Sequence, residues 1–129
     1  MAPARALHYT GPQNFRHRIA LSLLSLKPLT IKSIRSDDLD PGLKEHETSF
    51  LNLIDQMTNG TKIDINDSGT QVRLIPGVIM GGEIEFECDN GKGIGYFLEG
   101  ILPLAPFGKD PLKLVLKGVT DGYENVEPR

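Results

Sequence analysis

Four basic side chains stand out in the first third of the chain: Arg16, Arg18, Lys32 and Arg35. A guanidinium is a planar fork of N–H donors that meets a phosphate or a carboxylate through two bonds at once, and an ammonium is a compact point charge. These four are the candidate contacts to RNA or to an acidic protein surface. Arg35 has a second option, an internal pair with the nearby Asp37 or Asp38. Gly91-Lys92-Gly93-Ile94-Gly95 falls between an expected strand and an expected helix, where backbone amides at a helix start could cradle a phosphate. It has neither a dinucleotide fingerprint nor the Gly-Lys-Ser/Thr of a P-loop, so a plain turn is the simpler reading.

No residue is assigned a catalytic role, and no cofactor or metal is called for. His46 lies on or near an apolar helix face between Glu45 and Glu47 with no identifiable partner, which reads as a packed or surface histidine rather than a general base. Three scattered His and one Cys show no ligand spacing. Cys88 continues the inward register of Ile84 and Phe86 as a small core residue, and as the one cysteine it cannot close an internal disulfide.

With 129 residues, 39% of them hydrophobic and 24% charged, one modest folded domain is the default and disorder is excluded. The longest apolar stretch, around Ile19 to Leu26, is interrupted by Ser22 and Ser25 and falls far short of the roughly 20 residues of a spanning helix. The net charge of −3 conceals a segregation. Residues 1–36 carry six basic residues and not one Asp or Glu, so all 17 acidic residues follow them. Such a split can steer an anionic partner, or simply draw two parts of one domain together. The acid-free start shares its composition with a mitochondrial targeting segment, but the periodicity that begins near residue 13 makes it part of the fold.

Residues 1–8 have no periodic signal and read as a loose leader. Phe15, Ile19, Leu23 and Leu26 are spaced as one broad helical face, ended by Pro28. Leu29 and Ile31 alternate as a strand ahead of Ser33-Ile34-Arg35. Asp40-Pro41-Gly42 reads as N-cap and first turn of a second helix, faced by Leu43, His46, Phe50, Leu53, Ile54 and Met57, with Asn59-Gly60 as a left-handed C-terminal cap. Three strands then carry Ile63 and Ile65, Val72 and Leu74, and Ile84, Phe86 and Cys88; Asn66-Asp67-Ser68-Gly69 makes a hairpin turn between the first two. A third helix is expected from Gly95 to Phe107, weakened by Pro103 and Pro106, before a last strand at Leu112, Leu114 and Leu116. A helix-Pro-strand junction recurs at Pro28 and Pro111, so the order helix, strand, helix, three strands restarts. The expected division is a first repeat unit over 9–90 and the start of a second over 91–129, in a chain that reads as the N-terminal piece of something longer.

Gln13-Asn14-Phe15-Arg16, Pro28, Thr30-Ile31, Ser33-Ile34-Arg35, Pro41-Gly42-Leu43, Pro76-Gly77 and Gly81-Gly82 resemble, in order and spacing, the signature blocks of the RNA 3′-terminal phosphate cyclase family. Ile94-Gly95-Tyr96-Phe97-Leu98-Glu99 and Leu104-Ala105-Pro106-Phe107 are more like the eukaryotic cyclase-like branch than the enzymes. The resemblance spans about residues 9–120. It implies an α/β (α+β) fold built from repeated units of two helices packed on a four-stranded mixed sheet.

Three departures from the enzymes stand out. Tyr9-Thr10-Gly11-Pro12 precedes Gln13 where they carry a Glu and a Gly-rich run. Asp38 stands where they place an Arg, and His46-Glu47 where they have Gln-His. Their nucleotidylated His lies beyond Arg129. A carboxylate in place of a guanidinium repels phosphate, which implies a pseudo-cyclase. By resemblance, the function is that of a non-catalytic nucleolar ribosome biogenesis factor in small-subunit assembly. Such a factor supports early pre-rRNA cleavages toward 18S rRNA and binds a ribosome-assembly GTPase, pre-rRNA and small nucleolar ribonucleoprotein components. The alternatives are an active RNA-processing enzyme, either a divergent cyclase or a pre-rRNA endonuclease, and a small α/β interaction module.

Overall fold

The computed structural model describes residues 6–89 and 91–118. Its first element is one that alternation did not announce. Leu7–Thr10 forms β1, so residues 7 and 8 belong to a sheet rather than to the loose leader expected over 1–8, whose first five residues lie outside the described ones. The strand is short and lies at a sheet edge, where hydrogen bonds to a neighbour define it more than its own pattern does. It runs parallel to β2 (Leu29–Lys32), with Leu7 beside Leu29 and Thr10 beside Lys32.

Between them, α1 (Phe15–Ser25) buries Phe15, Ile19, Ala20, Ser22 and Leu23. Leu26, expected on that face, is 63% exposed, because the helix has already stopped and Leu26 is left-handed at φ 57°. The Lys27 amide donates back to the Ser22 carbonyl at 3.2 Å, and the buried Ser22 hydroxyl donates to the Lys27 carbonyl at 2.6 Å. Lys27 precedes Pro28 and is steered away from helical geometry.

The second helix, α2 (Glu45–Met57), starts five residues later than Asp40. Gly42, at φ 92°, lies so close to Ser68 and Gly69 that a Cβ there would overlap their backbone, and this packing holds residues 40–44 in a loop. Capping comes instead from the Glu47 carboxylate, which accepts the Lys44 backbone N–H at 2.8 Å. Lys44 has no side-chain acceptor with which to reciprocate. At its other end the helix runs into an extended Thr58. Thr58–Asn59 is a two-residue strand, β3, so no left-handed Asn-Gly cap forms.

Lys62–Ile65 (β4) and Val72–Ile75 (β5) form the expected hairpin, with Ile63 opposite Leu74 and Ile65 opposite Val72. The main sheet has the order β1-β2-β5-β4, parallel at its first pair and antiparallel at the other two. Leu29, Ile31, Val72 and Leu74 on its inner face share one core cluster with Ile19 and Leu23 of α1 and Phe50, Leu53 and Ile54 of α2. This is an α+β arrangement of two helices on a four-stranded mixed sheet.

The strand of Ile84 and Phe86, expected to complete that sheet, lies elsewhere. After a short β6 (Val78–Ile79) paired with β3, β7 (Gly82–Glu87) runs parallel to β8 (Leu112–Lys117) in a separate two-stranded sheet. The link is α3 (Ile94–Ile101) followed by a 3₁₀ turn at Ala105–Phe107. Pro103 and Pro106 thus end the helix at Ile101 rather than letting it reach Phe107, since each Pro removes a donor and crowds the preceding turn. The chain therefore contains two parallel βαβ units, β1-α1-β2 and β7-α3-β8, each with a Pro just ahead of its second strand.

Candidate functional site

Chains that leave the C-terminal ends of β1, β2 and β7 turn into the N-terminal ends of α1, α2 and α3. In α/β folds this is the edge at which ligands bind, because helix starts present unpaired amides and the positive end of the helix dipole. Here the three starts open onto one cleft of about 220 Å³. It is lined by Arg16 and His17 from α1, His46 and Glu47 from α2, and Lys92 and Tyr96 from the α3 side.

Arg16 spans two of these elements. Its guanidinium donates to the Tyr96 backbone carbonyl at 2.7 Å, lies 4.3 Å from the centre of the Tyr96 ring, and approaches Glu99 at 3.5 Å. It therefore clasps α3 to α1, with only part of its donor fork facing the cleft. Tyr96 is edge-on to His46, with ring centres 5.1 Å apart, and to Phe50 beneath it at 6.2 Å. Burial, reinforced by the Glu47 charge and partly offset by Arg16 and Arg35, pushes its phenol up to about 12. Burial also lowers the His46 pKa, with Lys92 and Arg35 acting in the same direction and Glu47 and Asp89 opposing, so the imidazole is neutral at pH 7.

Arg35 underpins the site without entering it. It lies in a turn at φ 49° and donates to both Glu47 oxygens, at 2.7 and 3.0 Å, and to the Gly42 carbonyl at 3.1 Å. Its internal partner is thus Glu47, a residue only 3% exposed, rather than Asp37 or Asp38. This commitment leaves Glu47 no spare oxygen, since the atom that faces Lys44 also faces Arg35. A buried carboxylate satisfied in this way ties the turn after β2 to the start of α2.

The other two candidates point elsewhere. Arg18 donates to the Gly11 carbonyl at 3.1 Å and lies 4.4 Å over the Tyr9 ring, along the β1 side of α1. Lys32 is exposed on the sheet face away from the helices, beside Thr10. Only Arg16, with Arg35 supporting it through Glu47, belongs to the cleft, so the four do not form one patch. Gly91-Lys92-Gly93 is a turn whose Gly91 amide donates to the Asp89 carboxylate at 2.7 Å, although Lys92 does reach the cleft.

Sequence reasoning gave no role to Glu47 or Tyr96. A carboxylate three residues after a helix N-cap is a recognisable sign, but it is lost when the cap is placed at Asp40. The Tyr96 position carries no local sign beyond a β-rich, aromatic block. Among the described residues, no group of three His, Cys, Asp or Glu is placed to hold a metal ion, and no helix is long and apolar enough to cross a membrane. The buried Cys88 thiol is pushed up by desolvation and stays protonated.

A mixed sheet carrying two helices, repeated βαβ units and a cleft where helix starts meet define a class as well as a geometry. Residues 7–128 match the family described as RNA 3′-terminal phosphate cyclase, and the chain belongs to that family. It is 47% identical over 125 residues to the RNA 3′-terminal phosphate cyclase-like protein of Homo sapiens, an alignment that covers 97% of this chain and 33% of the relative. It is 48% identical over 117 residues to an rRNA processing protein of Saccharomyces cerevisiae, covering 91% of this chain and 32% of that protein. An rRNA processing protein of Schizosaccharomyces pombe is 40% identical over 126 residues, covering 98% of this chain and 35% of that protein. The chain spans about a third of the length of the curated relatives it matches.

Proposed function

We propose that the chain is part of a ribosome biogenesis factor that supports rRNA processing without performing cyclase chemistry. The observation that carries this reading is its likeness, along nearly its whole length, to two yeast proteins named for rRNA processing. The site's chemistry is in keeping with it. Arg35 is spent on Glu47, and Asp38 stands where the enzymes place an arginine. In this reading the protein works in the nucleolus on the early pre-rRNA cleavages that lead to 18S rRNA. It holds pre-rRNA and small nucleolar ribonucleoprotein components and docks a ribosome-assembly GTPase. The second repeat unit of the parent fold would begin at β7, near Gly82, rather than at residue 91.

A second reading, an RNA-processing enzyme, is favoured by one feature: a neutral His46 lies in the same cleft as Arg16 and Lys92. One pair of experiments on the full-length protein separates the two. Incubated with labelled ATP and 3′-phosphorylated RNA, the assembly factor takes up no adenylyl label and forms no cyclic phosphate. In cells depleted of the native protein, a His46→Gln version restores normal pre-rRNA intermediates. Label transfer, or an uncut precursor in the His46→Gln cells despite normal protein levels, would overturn the non-catalytic reading.

A further inference from the structure

The sheet face turned away from the helices carries a charge pattern that the cleft does not explain. Lys32 on β2, Arg73 on β5 and Lys62 on β4 are all exposed, each flanked along its strand by residues of the inner face. The register fixes their relation. Arg73 is opposite Thr30 on one side and Asp64 on the other, while Lys32 lies two residues beyond Thr30 and Lys62 two residues before Asp64. The three cations therefore form a straight diagonal across three adjacent strands. Each step is one strand over and two residues along, about 8 Å from strand spacing and rise.

His8, Thr10 and Thr30 extend this face with further hydrogen-bonding groups, and Asp64 is its one carboxylate within the strands. No ion pair within 4.0 Å occupies Lys32, Lys62 or Arg73 among the described residues. In a chain of net charge −3, an unpaired line of three cations on a flat face is a local reversal of sign. We propose that this diagonal is a docking surface for the phosphodiester backbone of single-stranded RNA, separate from the cleft. Charge complementarity selects a polyanion, and the evenly stepped cations select an extended one.

No Phe, Tyr or Trp stands on this face of the four strands, and its one aromatic ring is His8 at the β1 edge, so contact is chiefly with phosphates and largely indifferent to sequence. The choice of RNA among polyanions rests on the rRNA-processing reading. The charge pattern itself does not.

The test is binding of the purified 129-residue chain to fluorescein-labelled oligouridylate and oligoadenylate, followed by anisotropy across a salt series. The wild-type chain should bind both equally. The Lys32→Gln, Lys62→Gln, Arg73→Gln triple variant should bind on the order of tenfold more weakly at low salt, with the slope of log affinity against log salt flattened by about 2. A charge-matched control, Lys109→Gln, Lys113→Gln, Lys117→Gln, should bind as the wild type does. Circular dichroism of both variants verifies folding.

The proposal is overturned if the wild-type chain fails to bind, if the control loses as much as the stripe variant, or if an acidic peptide competes as well as RNA. None of these outcomes bears on the rRNA-processing reading, which is tested by the pre-rRNA pattern in depleted cells.

Discussion

Arg35 and Glu47 meet through two near-parallel hydrogen bonds, at 2.7 and 3.0 Å, that tie the turn after β2 to the first turn of α2. The guanidinium is held in its charged form chiefly by this bond, and Glu47 also caps its own helix. Removing one member strands the other in a nearly dry site. Glu47→Ala should therefore destabilise the fold by about 3 kcal/mol in urea unfolding, while the paired replacement Arg35→Met with Glu47→Leu costs less. A loss in the double variant as large as the sum of the Arg35→Met and Glu47→Leu single losses would show that the pair is not coupled.

At Gly100, α3 packs against side chains of both α1 and α2. A Cβ at this position would overlap the Phe50 ring and crowd the Arg16 side chain, and Phe50 is fully buried. Ala is the better helix former and would stabilise an isolated helix by about 1 kcal/mol. In this fold overpacking wins. Gly100→Ala should lower stability by roughly 1–3 kcal/mol and expose Tyr96 to quenchers, which thermal unfolding and tyrosine fluorescence measure together.

The elements that the sequence revealed are those whose own pattern suffices. The alternation of β2, β5 and β7 and the helical spacing of α1 reappear in the structure, because burying one face of each element dictates its period, whereas in β4 Ile63 is only half-buried and Ile65 is exposed. What stayed hidden depends on distant partners. β1 exists because Leu7 and Tyr9 pair with Leu29 and Ile31. The Asp40-Pro41 start has sound capping chemistry, yet the approach of Gly42 to Gly69 overrules it. The cleft was half legible for the same reason. Arg16 and Lys92 are visible as charges, whereas their convergence with Tyr96 is a matter of packing between α1, α2 and α3.

His46 should make stability sensitive to mild acid. Its folded pKa lies below the ordinary 6.5, so an unfolded chain binds a proton that the folded one resists. Stability is unaffected by this group above 6.5 and declines as pH falls below that value, levelling once the folded state is protonated too. His46→Asn should flatten the decline in urea midpoints measured in that window. A variant as acid-sensitive as the native chain would place the effect on other groups.

Tyr96 gives the opposite dependence at high pH. Its phenol ionises at about 12 in the folded chain against 10.0 when exposed, so the unfolded state releases its proton first and stability falls as pH rises from 10.0 toward 12. Phenolate absorbance should show a late phase near 12 that Tyr96→Phe removes. None of the hydrogen bonds among the described residues uses the Tyr96 hydroxyl, so at neutral pH the substitution should alter stability by less than about 0.5 kcal/mol. Arg16 keeps both of its anchors in that variant, the backbone carbonyl at 96 and the ring face, and the cleft should keep its shape. Loss of the late phase together with a large drop in neutral stability would mean that the hydroxyl, and not the buried ring, holds α3 in place.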